Sequence, residues 1–337
     1  MREGSLHQSG RGFHTRAGGD RRARADQQRA VSKHVGADLR VRPAVVALIL
    51  VALAAAGFVA SQLPSWAADA FLHPGRRPVD HALRGSFEDV EFAGAGVRLK
   101  GWRFAAVGAP RGTLVCLHGI ADNRMSVLGI ADRFTHQGFD VVAYDSRGHG
   151  DSGGDTCTYG FYEKLDLRRV LDTITSRPIV VMGSSLGAAV AMQAAADDSR
   201  IHALVAAEIF SDLRTIARER APWFLTAGMI DRAFALAEQR GAFHVDAVSP
   251  VSAAAHMTIP VLLIHGALDH ETPPDHSQRV FDALPGPKRL IVVPGVGHNQ
   301  SLSGPVWRDI DEWISAIGSN SAAGRWPAPA DSPGARL

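Results

Sequence analysis

Hydrophobic and polar positions divide the chain into stretches of different character. From Pro43 to Ala68 there is no charged side chain, and residues 44–60 are apolar on every face a helix would present. A helix without a polar side is not a surface amphipath. The ~20 residues of 43–63 would span about 30 Å, the hydrocarbon thickness of a bilayer, and predict a transmembrane helix. Between 71 and 318 the pattern changes. Short apolar runs at 87–92, 97–104, 113–117, 139–144, 179–183, 203–207, 261–265 and 289–293 predict strands. The first two alternate in polarity across Ala93-Gly94-Ala95-Gly96, as an antiparallel hairpin does; the rest are continuous and rich in β-branched residues, as strands covered on both faces are. Helical patterns at 124–137, 160–175, 186–197, 274–284 and 304–317 separate them. The alternation predicts an α/β fold, a mostly parallel eight-stranded sheet with helices on both faces. Such a sheet keeps its ligand chemistry in loops beyond the carboxyl ends of its strands. Between the sixth and seventh strands lie about fifty residues where a crossover needs about a dozen. They carry helical patterns at 213–220, 223–240 and 249–256 and the apolar residues Trp223, Phe224, Leu225, Met229, Ile230 and Phe234. Residues 211–257 are therefore expected to form a small helical cap over a pocket.

Composition narrows the class. With 46% hydrophobic and 21% charged residues, the 337-residue chain is neither disordered nor a polytopic membrane protein. Two cysteines exclude a disulfide scaffold and a four-thiolate zinc site. The net charge of +2 is unevenly spread: residues 1–42 hold ten Lys/Arg and four Asp/Glu, leaving 26 and 30 for the remainder. The basic character belongs to the tail, so no nucleic-acid partner is expected of the body. Residues 1–42 read as a disordered basic tail, and 319–337, mostly Ser, Ala, Gly and Pro, as a second disordered tail. A basic tail ahead of the apolar run predicts a cytoplasmic N-terminus, an uncleaved single-pass anchor at 43–63 and a body, 71–318, outside the cytoplasm, with Trp66 at the interface. The small residues Ala67-Ala68-Asp69-Ala70 would also suit a peptidase, so secretion after cleavage is the alternative.

The chemistry is concentrated in a few motifs. Gly183-Ser184-Ser185-Leu186-Gly187 follows an apolar strand and opens an Ala-rich helix. This is a nucleophile elbow: Gly183 and Gly187 spare a tight turn from side-chain collisions, and Ser185 sits at a helix N-terminus, where negative charge is favoured. A serine needs a base, and the base an acid, in the chain order serine, acid, histidine. Asp269 follows the run 261–265, and His298 follows 289–293. Asp212, after the sixth strand, is the rival acid, with helix capping as its other role. Of the rival histidines, His265 reads as packed core and His256, His270 and His276 as surface. The apolar run before His118-Gly119-Ile120 suggests that the amides of Ile120 and Leu186 form an oxyanion hole, with Gly119 letting the backbone pass close to the site and His118 structural. Gly148-His149-Gly150-Asp151-Ser152-Gly153 matches a dinucleotide fingerprint, but no helix opens after it to seat a pyrophosphate. No His-Glu-x-x-His is present, and no metal or cofactor is expected. Cys116 reads as a core residue and Cys157 as a loop residue, with no disulfide between them.

These motifs, with Tyr144-Asp145-Ser146-Arg147-Gly148-His149-Gly150, resemble the α/β-hydrolase superfamily over about 85–318. The Arg147–Gly150 loop and the run Ser249-Pro250…Ile259-Pro260-Val261…Asp269 look like its serine-aminopeptidase-like branch, whose near relatives include esterases, monoacylglycerol lipases and protein depalmitoylases. The resemblance implies a triad of Ser185, Asp269 and His298. It carries no substrate, because loops and cap set specificity on a shared fold. The plain Ile120-Ala121-Asp122-Asn123 segment departs from lipases that have extra glycines there. The expected function is a serine hydrolase, carboxylesterase- or lipase-like, cleaving a small-molecule carboxylic ester or thioester through an acyl-enzyme. The alternatives are an acyltransferase on the same triad and a membrane-anchored, non-catalytic interaction module. Peptidase activity stays open, whereas chemistry that needs a carboxylate nucleophile is disfavoured by Ser185.

Overall fold

The computed structural model describes residues 42–82 and 85–320. The tails expected to be disordered lie outside them, apart from Arg42 and the pair Ser319-Asn320, which closes a helix. The chain divides into two compact units, Met1–Ala60 and Ser61–Leu337. The described part of the first is the front of helix α1 (Pro43–Leu72), exposed and with a mean hydropathy of 2.6 over its most apolar window. This helix is long and apolar enough to cross a membrane.

The second unit begins at Ser61, ten residues ahead of the body expected at 71. The helix does not stop at Pro64 but continues to Leu72, with Ala68 and Leu72 fully buried. Eight strands follow: β1 (Glu88–Ala93), β2 (Arg98–Phe104), β3 (Gly112–Leu117), β4 (Phe139–Tyr144), β5 (Ile179–Ser184), β6 (Ile201–Ala207), β7 (Val261–Gly266) and β8 (Lys288–Val293). They form one sheet in the order β1-β2-β4-β3-β5-β6-β7-β8. The β1/β2 pair is the expected antiparallel hairpin, β2 also pairs antiparallel with β4, and the remaining pairs are parallel, so the sheet is mostly parallel as the hydrophobic pattern predicts.

Alternate residues of each strand serve opposite faces. On one face Val115, Leu117, Val181, Leu204 and Leu263 pack with α3 (Glu163–Leu171), α4 (Leu186–Ala195) and α8 (Asp275–Ala283). On the other, Leu114, Cys116, Val180, Met182 and Ile264 meet α2 (Leu128–His136) and α9 (Val306–Asn320). Every residue of α4 is buried, and its small alanines let it lie close on the sheet. The helix expected over 124–137 is a 3-10 turn, Arg124–Val127, followed by α2.

The segment between β6 and β7 carries α5 (Leu213–Glu219), α6 (Ala227–Gly241) and α7 (Pro250–Ala254). Asp212 caps α5 by accepting from Thr215 N, and Thr226 caps α6 by accepting from Met229 N. α7 packs on α4 and α8, so of these three helices it belongs with the body, and α5 and α6 line the cavity described below.

Candidate functional site

β3 and β5 are adjacent and parallel, yet the chain leaves them toward opposite sides of the sheet, to β4 and β6. This is the switch point at which an open α/β sheet has a crevice. Ser185 stands there, between the end of β5 and the start of α4, with φ 51° and ψ −112°. That conformation is unfavourable for a residue with a Cβ and has to be held by its surroundings. Ser185 N donates to Ala207 O at 2.8 Å. A Cβ at Gly183 would lie 2.3 Å from Gly187 C, and one at Gly187 would lie 2.4 Å from Leu117 O. Both contacts are with backbone, so neither position admits a side chain unless helix and sheet separate. Gly119 is different. A Cβ there would rest at an ordinary 3.7 Å from the Ser185 Cβ, so the glycine keeps space open beside the serine rather than relieving a forbidden turn.

The loops after β7 and β8 bring two further groups to Ser185. His298 Nε2 lies 3.1 Å from Ser185 Oγ, and His298 Nδ1 lies 2.6 Å from Asp269 Oδ2. The tautomer that satisfies both contacts has Nδ1–H donating to Asp269 and Nε2 accepting from the hydroxyl. Ser185 is 5% exposed and Asp269 2% exposed. Burial opposes ionisation of Asp269. Hydrogen bonds from His265, His298 and the Thr272 amide outweigh it and hold the carboxyl well below the ordinary carboxylate range. Asp269 Oδ1 accepts from Glu271 N at 2.9 Å and Thr272 N at 2.8 Å. The rival acid Asp212 is occupied elsewhere, by Thr215 N and Ser211 Oγ. Ile120 and Leu186 both line the cavity in front of Ser185. Leu186 opens α4, so its amide lies among the first N–H groups that a helix leaves unpaired.

Three buried groups were not anticipated in these roles. His265 is core, as expected, but its Nε2 also reaches 3.2 Å from Asp269 Oδ2 and 2.7 Å from Thr272 O. His276, expected at the surface, is fully buried. Its Nδ1 accepts from Ser211 N at 3.0 Å and its Nε2 lies 2.7 Å from Glu219 Oε2, tying α8 to the start of the cap. Glu208, just past β6, is 1% exposed with φ 55°. Its carboxylate accepts from three consecutive amides of the histidine loop: Asn299 N at 2.7 Å, Gln300 N at 3.1 Å and Ser301 N at 3.0 Å. Ser185, Glu208, Asn299, Tyr159 and Ala121 all have positive φ, and strain of this kind collects at functional sites.

In front of Ser185 lies a cavity of about 490 Å3, a size usual for small-molecule sites. Phe210, Leu213, Ile216, Phe224, Ile230 and Phe234 supply much of its wall. His118 is structural: its Nε2 accepts from Ser146 N at 2.9 Å and its Nδ1 donates to Gly119 O at 2.7 Å. The glycine-rich loop at 148–153 is followed by turn and coil, without a helix N-terminus. Among the described residues no group of three or more His, Cys, Asp or Glu is placed to hold a metal ion. Both cysteines are buried and unbridged.

Comparison with known proteins agrees with this architecture. Residues 112–256 match the model of the alpha/beta hydrolase fold, and residues 234–329 that of a PhoPQ-activated pathogenicity-related protein. The uncharacterized protein Rv2307c of Mycobacterium tuberculosis is 30% identical over 224 residues, 64% of this chain and 73% of its own length. The uncharacterized protein YqkD of Bacillus subtilis is 29% identical over 239 residues, 66% of this chain and 78% of its own. Among solved structures, the esterase Pf2001 of Pyrococcus furiosus superposes with a TM-score of 0.56 at 24% identity, covering 73% of this chain and 97% of that one. The acylaminoacyl peptidase of Pyrococcus horikoshii gives 0.57 at 16%, covering 73% and 43%. At such identities the structures speak for the fold, and with the sheet order and the relatives they lead to one assignment: the chain belongs to the α/β-hydrolase superfamily.

Proposed function

We propose that the protein is a serine hydrolase that cleaves a carboxylic ester or thioester through an acyl-enzyme. The observation that carries this reading is the continuous relay from Asp269 through His298 to Ser185 at the foot of an apolar cavity. Ser185 Oγ attacks the acyl carbon while its proton passes to His298 Nε2. The carbonyl oxygen becomes an oxyanion that accepts hydrogen bonds from the backbone amides of Ile120 and Leu186. The tetrahedral intermediate collapses, the bond to the alcohol or thiol breaks, and His298 returns its proton to that leaving group. Water then attacks the acyl-enzyme with His298 as base and releases the carboxylic acid. Asp269 stays ionised throughout, holding the tautomer and stabilising the imidazolium. The esterase and peptidase among the structural neighbours accord with hydrolysis in general.

In this reading residues 43–63 anchor the protein uncleaved, with the basic tail cytoplasmic and the body beyond the membrane. Support against cleavage near Ala68 comes from the packing of the helix there, since a cut would remove the buried Ala68 from the body. The test is covalent labelling by a fluorophosphonate. Wild-type protein is expected to label and Ser185→Ala to remain unlabelled. Folded wild-type protein that resists the probe would remove the proposal.

A further inference from the structure

The last turns of α1, from Ser61 onward, are bound to the body at several independent points. Arg240, at the end of α6, donates from Nη1 to Ser65 O at 3.0 Å and to Asp69 Oδ1 at 2.6 Å, and from Nη2 to Ser65 Oγ at 2.8 Å. Tyr159 stacks on Phe71 with ring centroids 4.7 Å apart and donates its hydroxyl to Phe71 O at 2.8 Å. Leu72 O accepts from Cys157 N at 2.8 Å. Held this way, Leu63, Trp66, Ala67 and Phe71 form one wall of the cavity that contains Ser185, with Ile230 and Phe234 of α6 also in its lining. The polar side chains reaching the same space are engaged with protein. Tyr159 Oη bonds Phe71 O, and Arg220 bonds Glu271 O at 2.6 Å and Thr272 Oγ1 at 3.0 Å. Apart from these engaged groups and the hydroxyl that would do the chemistry, the wall of the cavity is hydrocarbon. It opens where Trp66 and Phe224, each about half exposed, stand in its wall.

We propose that this cavity is an acyl-chain site, that its occupant is the fatty acyl chain of an ester or thioester, and that residues 63–71 of α1 are the wall that sets chain length. The proposal rests on Ser185 being the nucleophile. The helix continuous in sequence with the membrane span is then part of the specificity apparatus as well as a tether. Acyl selectivity requires the full chain, because removing residues before 71 takes away Leu63, Trp66 and Ala67.

The experiment uses the full-length protein in detergent micelles of fixed composition, with p-nitrophenyl acetate, butyrate, octanoate, laurate and palmitate. Each methylene buried contributes at most about 0.8 kcal/mol, or about fourfold in kcat/KM. From butyrate to octanoate the wild type is expected to gain at least about tenfold, then to fall off when the cavity is full. Ala67→Phe narrows the wall, and the octanoate-to-butyrate ratio is expected to drop about tenfold, by the same per-methylene figure. Trp66→Ala, at a half-exposed position, widens the wall and is expected to move the maximum to longer chains. It keeps the test decisive if Ala67→Phe does not fold. A chain-length profile that neither folded variant changes, in protein whose Ser185 labels with fluorophosphonate, overturns the acyl-wall assignment and leaves the serine hydrolase standing. Failure of the folded wild type to label overturns both.

Discussion

Glu208 provides the sharpest test of how the histidine loop is held. The substitution Glu208→Gln preserves shape and removes one acceptor. In the native protein Oε1 accepts from Gln300 N and Ser301 N, while Oε2 accepts from Asn299 N and lies 3.4 Å from Ser184 Oγ. Glutamine can keep its oxygen toward Gln300 and Ser301. Its NH2 then faces the Asn299 amide, donor against donor, in a buried place. Losing a charge-assisted bond and leaving a buried donor unpaired together cost about 2–4 kcal/mol. Asn299 is the residue after His298 and has φ 61°, so relief comes by moving the loop that carries the imidazole. A displacement of about 1 Å in a reacting group costs on the order of 100-fold in rate. We therefore expect Glu208→Gln to lower kcat/KM by about 10- to 100-fold on that basis. The assay is p-nitrophenyl butyrate hydrolysis normalised to the fraction of protein that labels with fluorophosphonate, with thermal melting in parallel. A purely structural carboxylate would lower the folded fraction and leave the normalised kcat/KM intact. Normalised activity within twofold of wild type at a reduced Tm would refute the claim that Glu208 positions His298.

Two further outcomes follow from the geometry. The imidazoles of His118 and His149 lie 5.2 Å apart and are both buried; burial first, and His118 beside it second, push His149 down to about 4, and burial likewise lowers His118. The unfolded chain takes up these protons near pH 6.5 and the folded chain does not, so stability is full above that value and declines as the pH falls from about 6.5 to about 4, by about 3 kcal/mol for His149 at 1.36 kcal/mol per pH unit. Asp145, raised by burial, acts with the opposite sign, so the comparison that decides is urea unfolding of wild type against His149→Asn; equal slopes across this window would sink the assignment. At the elbow, Gly183→Ala sets a methyl 2.3–2.5 Å from the backbone of Gly187 and Ala188, and a loss of about 1–3 kcal/mol or more is expected, seen as a lowered Tm together with slowed labelling of Ser185. An alanine variant that melts and labels like wild type would show that the helix and strand are not in contact there.

What could be read from the chain follows from which interactions are local. Gly183 is in the sequence because of a collision four residues away, with Gly187, whereas Gly187 answers to the Leu117 carbonyl on another strand; the serine between the two glycines is visible without any fold. Strands β3 to β7 are equally legible, since burial on both faces leaves a continuous apolar run. Glu208 is the opposite case. Its pentapeptide, Ala206-Ala207-Glu208-Ile209-Phe210, shows only an acid after a strand, while its partners lie 91 to 93 residues further on. His265 could be read as buried, but its approach to Asp269 depends on the turn between them, which no periodicity records.

Helix α1 shows the same limit acting on an entire element. Hydropathy marks where the chain can leave water, and by that measure the helix need extend no further than Pro64. Whether the next turns lie in solvent or against protein is decided by Arg240, 171 residues from Asp69, and by Tyr159, 88 residues from Phe71. Proline normally ends a helix because it lacks an N–H and crowds the preceding turn. Here three side-chain and backbone acceptors engaged by one guanidinium, and a stacked aromatic pair, hold the chain helical for eight residues beyond it. Surface ion pairs of this kind add little each, typically below about 1 kcal/mol. The burial of Ala68 and Leu72 thus stabilises the docked helix more than the ion pair does, and Arg240 bonds the same turns at Ser65 and Asp69.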